Sequence, residues 1–409
     1  MAQPIVIGLC GSYYSGCTTV ANFLTSNHGY RAIKLSDKVA EIASASGLDC
    51  SDKKVLQDTG NKIREEHGND FLAEWAIGQI EESDKFVVLD AIRNVAEIIA
   101  LRKQYANFFL IGITADYDVR RERARSDNVS EANFDAVDRR DIGEDSIHGQ
   151  QVRLCMDFAD VVLRNNEQIL DLNVPGQTRE LELIIARYHT LFSSEEVETP
   201  TPTEFLMGVA DNAAMLSWCI KRQVGAVLCS QDKEVIAVGQ NNPPPASNPC
   251  RSEYNKCYRS YVRENRPYKC SECDDVITAI ECPHCNKELN RRSLAGKELD
   301  YCRSVHAEEH IFLQMSKRYE GIPKESILFV TTFPCFMCAK KIASTDIVEV
   351  VYGDPYPMQE SYELLKDVGI KLTPFEGVKS NAFHVIFKKH PALVKEVISD
   401  LAVKSARND

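Results

Sequence analysis

The chain has 409 residues, of which 44% are hydrophobic and 26% are charged, and its formal net charge is −12. That length is sufficient for two domains with complete cores, and the acidic balance argues against a protein that grips nucleic acid over a long surface. No apolar run approaches the ~20 residues of a membrane span, and the first residues lack the basic start of a signal peptide. We therefore expect a cytoplasmic protein with no membrane partner, in which the 15 cysteines are metal ligands and core thiols rather than disulfides.

The first predicted elements are a strand, a glycine-containing loop and a helix, which is the order found in a P-loop. Residues 5–9 are a short apolar run, residues 11–19 form the loop, and apolar residues at helical spacing follow. The backbone amides of such a loop cradle phosphates. The loop residues that we expect to contact a nucleotide are Gly11, Ser12, Ser15, Gly16, Cys17, Thr18 and Thr19.

One position of this loop departs from the P-loop pattern. Cys17 stands where the pattern has the lysine that reaches the terminal phosphates. Thr18 keeps a hydroxyl that can contact a magnesium ion, and Asp90, at the end of the apolar run 86–90, is the acid expected to help hold that ion. We therefore predict that the loop binds a nucleoside triphosphate with Mg²⁺ for sensing or structural support, in preference to phosphoryl transfer.

The remaining pattern in this half alternates strands with helices. Residues 107–114 and 159–163 are predicted strands and residues 178–192 a predicted helix, so residues 1–192 are expected to form an α/β domain with a parallel sheet. For the basic stretch 120–145 two interpretations stay open: a lid whose arginines close over phosphates, and an exposed helix face. This half resembles the nucleoside and nucleotide kinase branch of P-loop proteins.

A linker is predicted between the two halves. Residues 193–203 are rich in acid, proline and threonine, and the second domain is accordingly predicted to span residues 204–409. Its first helix is predicted over residues 203–222, with apolar positions that include Leu216 and Ile220 packed in the core.

A hairpin and a polar turn are predicted next. The apolar runs 224–229 and 234–238 have the composition of paired strands, and the turn that follows them contains Asn241 and Asn242. Both asparagines are ordinary turn residues, so a structural role is as consistent with the sequence as a binding role.

Residues 250–302 form an insertion rich in cysteine. Two C-x-x-C pairs predict a structural zinc ribbon, which would fold a segment with too few large apolar residues to fold alone. The four predicted thiolate ligands are Cys270, Cys273, Cys282 and Cys285. Two alternatives stay open: metal-free reduced thiols, or replacement of one ligand by His284 or by a flanking cysteine, namely Cys250, Cys257 or Cys302. Arginines in the insertion support the hypothesis that it also binds phosphate near the cleft.

Two short motifs, H-A-E and P-C-F-M-C, predict a single catalytic zinc site. A catalytic zinc takes three protein ligands and keeps a fourth position open, and His306, Cys335 and Cys338 supply that number. Pro334 is typical of a helix start, where both cysteines would share one turn and the backbone amides favour thiolate. Glu308 is not needed as a ligand, so we predict that it carries protons from a zinc-activated water to a ring nitrogen and a departing amine. A purely structural zinc would normally have a fourth ligand.

The H-x-E and P-C-x-x-C pair is a signature of zinc nucleobase deaminases, and this half resembles the cytidine and deoxycytidylate deaminase superfamily. The resemblance implies a cytidine-deaminase-like α/β/α domain. It also implies that Asn241 or Asn242 binds the sugar of the substrate and that Tyr356 lines the nucleotide pocket. Residues 370–373 and 384–388 are predicted to complete its five-stranded sheet.

Over both halves the chain resembles the bacterial anti-phage dCTP deaminases. That resemblance implies hydrolytic conversion of dCTP, and of dCMP, to uracil nucleotides, which drains the pool of cytosine deoxynucleotides available to a phage. It further implies a homo-oligomer and a small noncoding RNA as an inhibitor. Three other functions stay open: a polynucleotide deaminase acting on RNA or single-stranded DNA, which the acidity disfavours, a nucleotide-sensing module without turnover, and a nucleoside kinase, which Cys17 disfavours.

Overall fold

The computed structural model describes residues 3–142, 147–166, 180–193, 198–265, 268–269, 273, 276–277, 284–285, 301–318, 321–353 and 358–389. The chain divides into two compact units, an amino-terminal unit of Met1–Glu204 with Glu376–Asp409, and a carboxy-terminal unit of Phe205–Phe375. Among the described helices, none combines the length and the apolar character needed to cross a bilayer.

The elements up to residue 204 are β1 (Ile5–Gly11), α1 (Cys17–His28), β2 (Arg31–Lys34), α2 (Leu35–Ala45), α3 (Lys53–His67), α4 (Phe71–Gln79), β3 (Phe86–Asp90), α5 (Val95–Gln104), β4 (Phe108–Thr114), α6 (Tyr117–Ser126), α7 (Glu131–Ile142), α8 (Val152–Asp157), β5 (Val161–Arg164) and α9 (Glu180–Ser193). The later elements are α10 (Pro202–Ala214), β6 (Gly225–Cys229), β7 (Val235–Gln240), α11 (Cys250–Tyr254), α12 (Tyr258–Asn265), β8 (Tyr268–Lys269), β9 (Val276–Ile277), α13 (Ala307–Arg318), β10 (Ser326–Val330), α14 (Phe336–Ile342), β11 (Ile347–Tyr352), α15 (Gln359–Asp367), β12 (Lys371–Pro374), β13 (Gly377–Val378) and α16 (Ser380–Lys389).

The amino-terminal unit is built on a sheet with the strand order β13-β5-β4-β1-β3-β2. The first five strands of the chain pair in parallel, and β13 is antiparallel to β5. Helices cover both faces, which explains why β1 is a continuous apolar run rather than an alternating one. The predicted α/β class with a parallel sheet is therefore confirmed, and the loop after β1 and the end of β3 meet at one edge of the sheet.

The carboxy-terminal unit has a five-stranded sheet with the order β12-β11-β10-β6-β7. Strands β6 and β7 form the predicted hairpin, β10 is antiparallel to β6, and β10, β11 and β12 are parallel. The apolar face of α13, formed by Ala307, Ile311 and Met315, packs with residues of this sheet in one core. The helix therefore has a fixed position relative to the strands, and its first turn follows directly after His306.

The first helix of this unit is shorter than predicted. Helix α10 ends at Ala214, and residues 215–222 are irregular. Leu216 and Ile220 are exposed, with relative accessibilities of 61% and 44%, so their predicted core packing is wrong. The spacing of these residues continues the helical pattern of α10, although the helix itself has ended. Strand β6 packs very closely against the end of α10: an added Cβ at Gly225 would lie 1.9 Å from the Ala210 carbonyl oxygen.

The end of the chain also differs from the prediction. Residues 384–388 lie in α16 and not in a strand, and β10, for which no separate prediction was made, is the central fifth strand. The described residues after Glu376 belong to the amino-terminal unit, because Gly377 and Val378 pair with β5. Glu204 reinforces this return: its carboxylate accepts a hydrogen bond from the Val378 amide at 2.9 Å. The predicted second domain of residues 204–409 is thus too long at its carboxyl end, since a two-residue pairing leaves almost no sequence signal.

Candidate metal centre

His306 lies at the end of a loop that is held on both sides. The residue before it, Val305, forms an isolated bridge with Asn242, with backbone hydrogen bonds of 3.2 and 2.9 Å. The residue after it begins α13, whose carbonyl at Ala307 approaches β7 at Gly239. A Cβ added at Gly239 would lie 2.2 Å from that oxygen, so only glycine permits the approach. Strand β7 therefore fixes the start of α13 and, with it, the position of His306.

The two cysteines are placed by the start of α14. Cys335 is the N-cap residue, with extended backbone, and Cys338 lies in the first turn. Cys338 is 1% exposed, whereas Cys335 is half-buried. Residues three apart on a helix are neighbours, so the motif spacing brings the two thiols to one side, as the sequence predicted.

The three predicted ligands converge. The Nδ1 atom of His306 lies 3.3 Å from Sγ of Cys335 and 3.4 Å from Sγ of Cys338. All three donor atoms lie within 4.8 Å of one another. One imidazole nitrogen and two thiols are a donor set that suits zinc, and three ligands leave a fourth position open. The residues present therefore fit a catalytic zinc ion.

Hydrogen bonds within this cluster shift the pKa values of all three ligands. A hydrogen bond with Cys302, followed by one with Cys335, raises the pKa of His306 to about 10. The hydrogen bond between the two cysteines lowers the pKa of Cys335 well below its usual range and raises that of Cys338. Metal ligands of these types bind as neutral imidazole and thiolate, so zinc binding must displace these protons.

Glu308 is the predicted catalytic acid and base, and it lies in the first turn of α13. Its side chain is 3% exposed, and burial raises the pKa of its carboxyl group. His306 and Cys335 interact with it electrostatically, and it shares a hydrogen bond with Cys338. A buried carboxyl group beside the ligands, with its pKa shifted towards neutrality, is suited to accept a proton and return it.

Two contacts around the centre were not predicted. Lys341 of α14 donates a hydrogen bond to Glu309 of α13, and this ion pair ties together the two helices that carry the ligands. Cys302 contacts His306, and this hydrogen bond lowers the pKa of its thiol although burial opposes the shift. The sequence had assigned Cys302 only as a substitute ligand of the insertion. Cys302 is four residues before His306, but residues 301–306 form no α-helix, so helical geometry is not what brings the two side chains together.

The two turn asparagines use their side chains to hold backbone segments. Asn241 accepts a hydrogen bond from the Val224 amide at 2.8 Å and donates one to the Arg222 carbonyl at 2.9 Å. Asn242 accepts from the Trp218 amide at 2.8 Å and donates to the Leu216 carbonyl at 3.0 Å. These bonds show what the residues do for the fold, and sugar binding by either stays a prediction.

Several predicted site residues cannot be placed. Tyr356 lies outside the described residues, as do Cys270 and Cys282 of the predicted zinc ribbon. The other two ribbon residues, Cys273 and Cys285, are described and exposed. The ribbon stays a prediction. Cys273 lies between the two strands of the short antiparallel pair β8 and β9.

The predicted P-loop surrounds the carboxyl end of β1. Gly16 has a left-handed conformation, with φ of 105°, and an added Cβ there would lie 2.1 Å from Nδ2 of Asn165. Thr18 donates a hydrogen bond to the buried Asp90 at 2.9 Å, so the two predicted magnesium-binding side chains are brought together. Burial, together with the negative charge of Asp90, raises the pKa of the Cys17 thiol to about 12. Cys17 is therefore a neutral thiol at physiological pH and cannot supply charge to a phosphate site.

The basic stretch after β4 is an exposed helix face only in part. Arg120 and Arg123 are buried, at 4% and 9% exposure, and donate hydrogen bonds to the loop carbonyls of Tyr13 and Tyr14 at 3.1 Å each. Arg120 also pairs with Asp138. These two arginines support the loop through its backbone carbonyls, whereas the half-buried Arg121 and the exposed Arg125 of the same helix form ion pairs with carboxylates near the surface. The periodic pattern could not distinguish a lid from a brace, because both need arginines on one face.

Residues 200–354 match the family described as the cytidine and deoxycytidylate deaminase zinc-binding region. The matched stretch carries the metal centre and begins at the end of the amino-terminal unit. The family match ends at the strand and loop after α14 and therefore includes all four residues of the centre.

Individual relatives cover both halves or one of them. The deoxycytidylate deaminase of Schizosaccharomyces pombe is 25% identical over 390 residues, which are 92% of this chain and 99% of that protein. A UPF0200/UPF0201 protein of Archaeoglobus fulgidus is 33% identical over 168 residues, or 39% of this chain and 50% of that protein. The crystal structure of dCMP deaminase from the cyanophage S-TIM5 in apo form is similar with 20% identity and a TM-score of 0.28, covering 44% of this chain and 100% of that one.

Proposed function

We propose that this chain hydrolyses deoxycytidine nucleotides to deoxyuridine nucleotides and ammonia, acting on dCTP and also on dCMP. The observation that carries the proposal is the convergence of His306, Cys335 and Cys338 beside the buried Glu308. The relatives named deoxycytidylate deaminase support the substrate class, since one of them aligns with 92% of this chain. Depletion of the cytosine deoxynucleotide pool would then act as an antiviral defence against phage.

The residues of the centre supply the zinc ligands and the proton carrier that this reaction needs. His306, Cys335 and Cys338 would hold the zinc ion, which supplies a Lewis acid that lowers the pKa of water towards ~7. Glu308 takes a proton from the attacking water and delivers it to N3 of the cytosine ring. The water oxygen bonds to C4, and Glu308 then moves the proton of the new C4 hydroxyl to the 4-amino group, so that the C4–N bond breaks, ammonia leaves, and the C4 oxygen of uracil remains.

Product analysis with a panel of substrates tests the proposal. The full-length chain is incubated with cytosine nucleosides carrying zero to three phosphates and with cytosine-containing oligonucleotides of RNA and DNA, and the products are separated by chromatography. We expect uracil formation from dCTP and dCMP. Turnover of the oligonucleotides in preference to free nucleotides would replace the proposal with the polynucleotide deaminase, and the absence of any turnover would favour a nucleotide-sensing module.

A pair of variants tests the role of Glu308. Glu308→Gln should lower kcat by about 10²–10⁴-fold while zinc content is unchanged, because proton transfer is lost and the ligands are intact. The matched control is Glu309→Gln, since its carboxylate pairs with Lys341 rather than with the ligands, and we expect it to lose less than about tenfold. Full activity of Glu308→Gln would remove this residue from the mechanism.

Further roles rest on resemblance or on single contacts. We propose that the P-loop binds a nucleoside triphosphate with Mg²⁺, which the Thr18–Asp90 contact supports, and that Cys270, Cys273, Cys282 and Cys285 bind a structural zinc. Zinc analysis should then give two equivalents per chain.

We also propose a homo-oligomer and inhibition by a small noncoding RNA. Light scattering tests the first of these, and deaminase assays with added RNA test the second.

A further inference from the structure

The four residues that lead to the histidine ligand are irregular. Residues 303–306, which we call the approach segment, form no helix, and their pairing with the rest of the chain is the isolated bridge between Val305 and Asn242. The segment ends at His306 and directly precedes α13. Irregular backbone with few repeating hydrogen bonds opens more easily than a helix or a strand. The position of the imidazole therefore depends on how firmly the approach segment is anchored.

Arg303 joins the approach segment to α11. Its Nη1 atom donates hydrogen bonds to Oε2 of Glu253 at 2.6 Å and to the Tyr254 hydroxyl at 2.9 Å. The Tyr254 hydroxyl in turn donates to Oε1 of the same glutamate at 2.7 Å. Hydrogen bonds that involve an ionised group are shorter and stronger than those between neutral groups. The three side chains thus form a closed set of hydrogen bonds between the segment and the helix.

Two tyrosine rings lie against the same guanidinium group. Its carbon is 5.3 Å from the centroid of the Tyr254 ring and 5.6 Å from that of the Tyr258 ring, within the ~6 Å range of a cation–π contact. The two rings are 4.8 Å apart, and Tyr261 lies 5.0 Å from Tyr254. Arg303 therefore rests on an aromatic cluster that α11 and α12 share. A planar guanidinium can stack and donate at once, which the ammonium of a lysine cannot.

These contacts give Arg303 a role other than the phosphate binding that the sequence suggested for arginines of the insertion. The side chains of Arg303 and Glu253 are 24% and 36% exposed, and the charge of the arginine is matched by the carboxylate. A phosphate that approached this guanidinium would meet the repulsion of the carboxylate bound to it. The geometry is that of an anchor, in which the arginine is already occupied.

The anchor acts on the metal centre because His306 is only three residues away. The segment is held at Arg303 by α11 and at Val305 by the backbone of Asn242. Fixing the backbone of one residue costs an amount equivalent to about tenfold in an equilibrium constant. A ligand that is ordered before the metal arrives binds it more tightly, because that cost is not charged to binding.

We propose that Arg303 is a positioning residue of the metal centre. By binding Glu253 and Tyr254 it holds the approach segment, and thereby places His306 where zinc is bound. The inference rests on the proposed function only in assigning zinc to the three ligands, and it does not depend on which nucleotide is deaminated. Since α11 begins the insertion 250–302, this contact also links the insertion to the metal centre.

Zinc affinity tests the inference without deaminase activity. Full-length chains are titrated with a chromogenic zinc chelator, and the zinc that Cys338→Ala removes is identified as that of the metal centre. Arg303→Met keeps the apolar stem, removes the guanidinium and should weaken this zinc by at least about tenfold. The matched control is Lys256→Met, because Lys256 pairs with Glu264 at the surface between α11 and α12, and it should leave the affinity unchanged. Unchanged zinc affinity in Arg303→Met would overturn the inference.

Kinetics separate a positioning role from a contact with the substrate. At saturating zinc, Arg303→Met should lower kcat by at least about tenfold and change KM by less than about threefold, for deoxycytidine, dCMP and dCTP alike. A rise in KM that grows with the number of phosphates would make Arg303 a substrate contact and refute the inference. If the wild-type chain deaminates none of the three, the proposed function fails, and the zinc titration still decides the role of Arg303.

Milder variants decide the matter if Arg303→Met does not fold. Glu253→Gln and Tyr254→Phe should each weaken the zinc of the metal centre by about threefold or more, whereas the control Tyr261→Phe changes a ring of the same cluster and leaves the hydrogen bonds of Arg303 intact. The double variant Arg303→Met/Glu253→Gln should bind zinc no more weakly than Arg303→Met, because both changes remove one contact. Additive losses of affinity, or lower stability in urea with zinc affinity unchanged, would contradict the inference.

Discussion

Gly239→Ala should show that the close approach of β7 to α13 sets the position of the metal centre, because its effect on activity should exceed its effect on the stability of the fold. The added Cβ would lie 2.2 Å from the backbone oxygen of Ala307 and 2.9 Å from Cγ1 of Ile311. Ordinary contact begins near 3.4 Å, so the start of α13 must move by about 1.2 Å away from the strand. His306 precedes that turn and Glu308 lies in it. A misplacement of ~1 Å costs about 100-fold in rate, and overpacking of this kind costs about 1–3 kcal/mol of stability.

The measurements for this variant are kcat/KM for dCTP deamination, zinc per chain, and the free energy of unfolding in urea. The control is Gly369→Ala, whose glycine has a left-handed φ of 82° and no atom within 4 Å of an added Cβ. It should lose about 1–2 kcal/mol through backbone strain alone and keep its zinc and its activity. The reasoning is refuted if Gly239→Ala retains wild-type kcat/KM, or if both variants lose activity in proportion to their stability.

Other variants test the metal, a pH-dependent contact and a buried ion pair. Cys338→Ala should lose one equivalent of zinc by elemental analysis and all measurable deamination, and a chelator should have the same effect on the wild-type chain. Burial raises the pKa of Glu204, but hydrogen bonds from Arg187 and from backbone amides outweigh it, so the pKa is lowered in the folded state. Glu204→Gln should therefore be about 2 kcal/mol less stable in urea at pH 7, and this deficit should begin to shrink as the pH falls below the unfolded pKa of about 4.5 and disappear below the lower pKa of the folded state. Arg64→Met should lose about 3–5 kcal/mol in the same assay, because Glu97 is 0% exposed and would be left buried without its partner; a loss below 1 kcal/mol would contradict this.

The metal centre was the part of this protein that its sequence determined best. The ligands at Cys335 and Cys338 are three residues apart, and Glu308 is two residues from His306, so the local geometry of a helix start already fixes most of their relative positions. The long-range step, the meeting of the two motifs, followed from the chemistry of the ligand set. The parallel sheet of the amino-terminal half was predictable for a similar reason: strands buried on both faces are continuous apolar runs.

Other features were decided by contacts between residues far apart in the chain, which leave no periodic signal. Arg120 and Arg123 brace the loop after β1 because their partners, the carbonyls of Tyr13 and Tyr14, are about a hundred residues away. The return of Gly377 to the first sheet depends on two residue pairs and on the carboxylate of Glu204.

The loop after β1 lines a cavity of about 580 Å³ in the amino-terminal unit, and the sequence predicted this cavity only in part. The sequence identified its phosphate loop, because consecutive residues form it, and it identified the missing lysine at position 17. It gave no sign that Lys53 lines that cavity, or that Gln57 and Arg64 each have a buried atom without a partner. Only the tertiary structure decides these points, since a polar atom is satisfied or left open by what packs against it, and not by its neighbours in the chain.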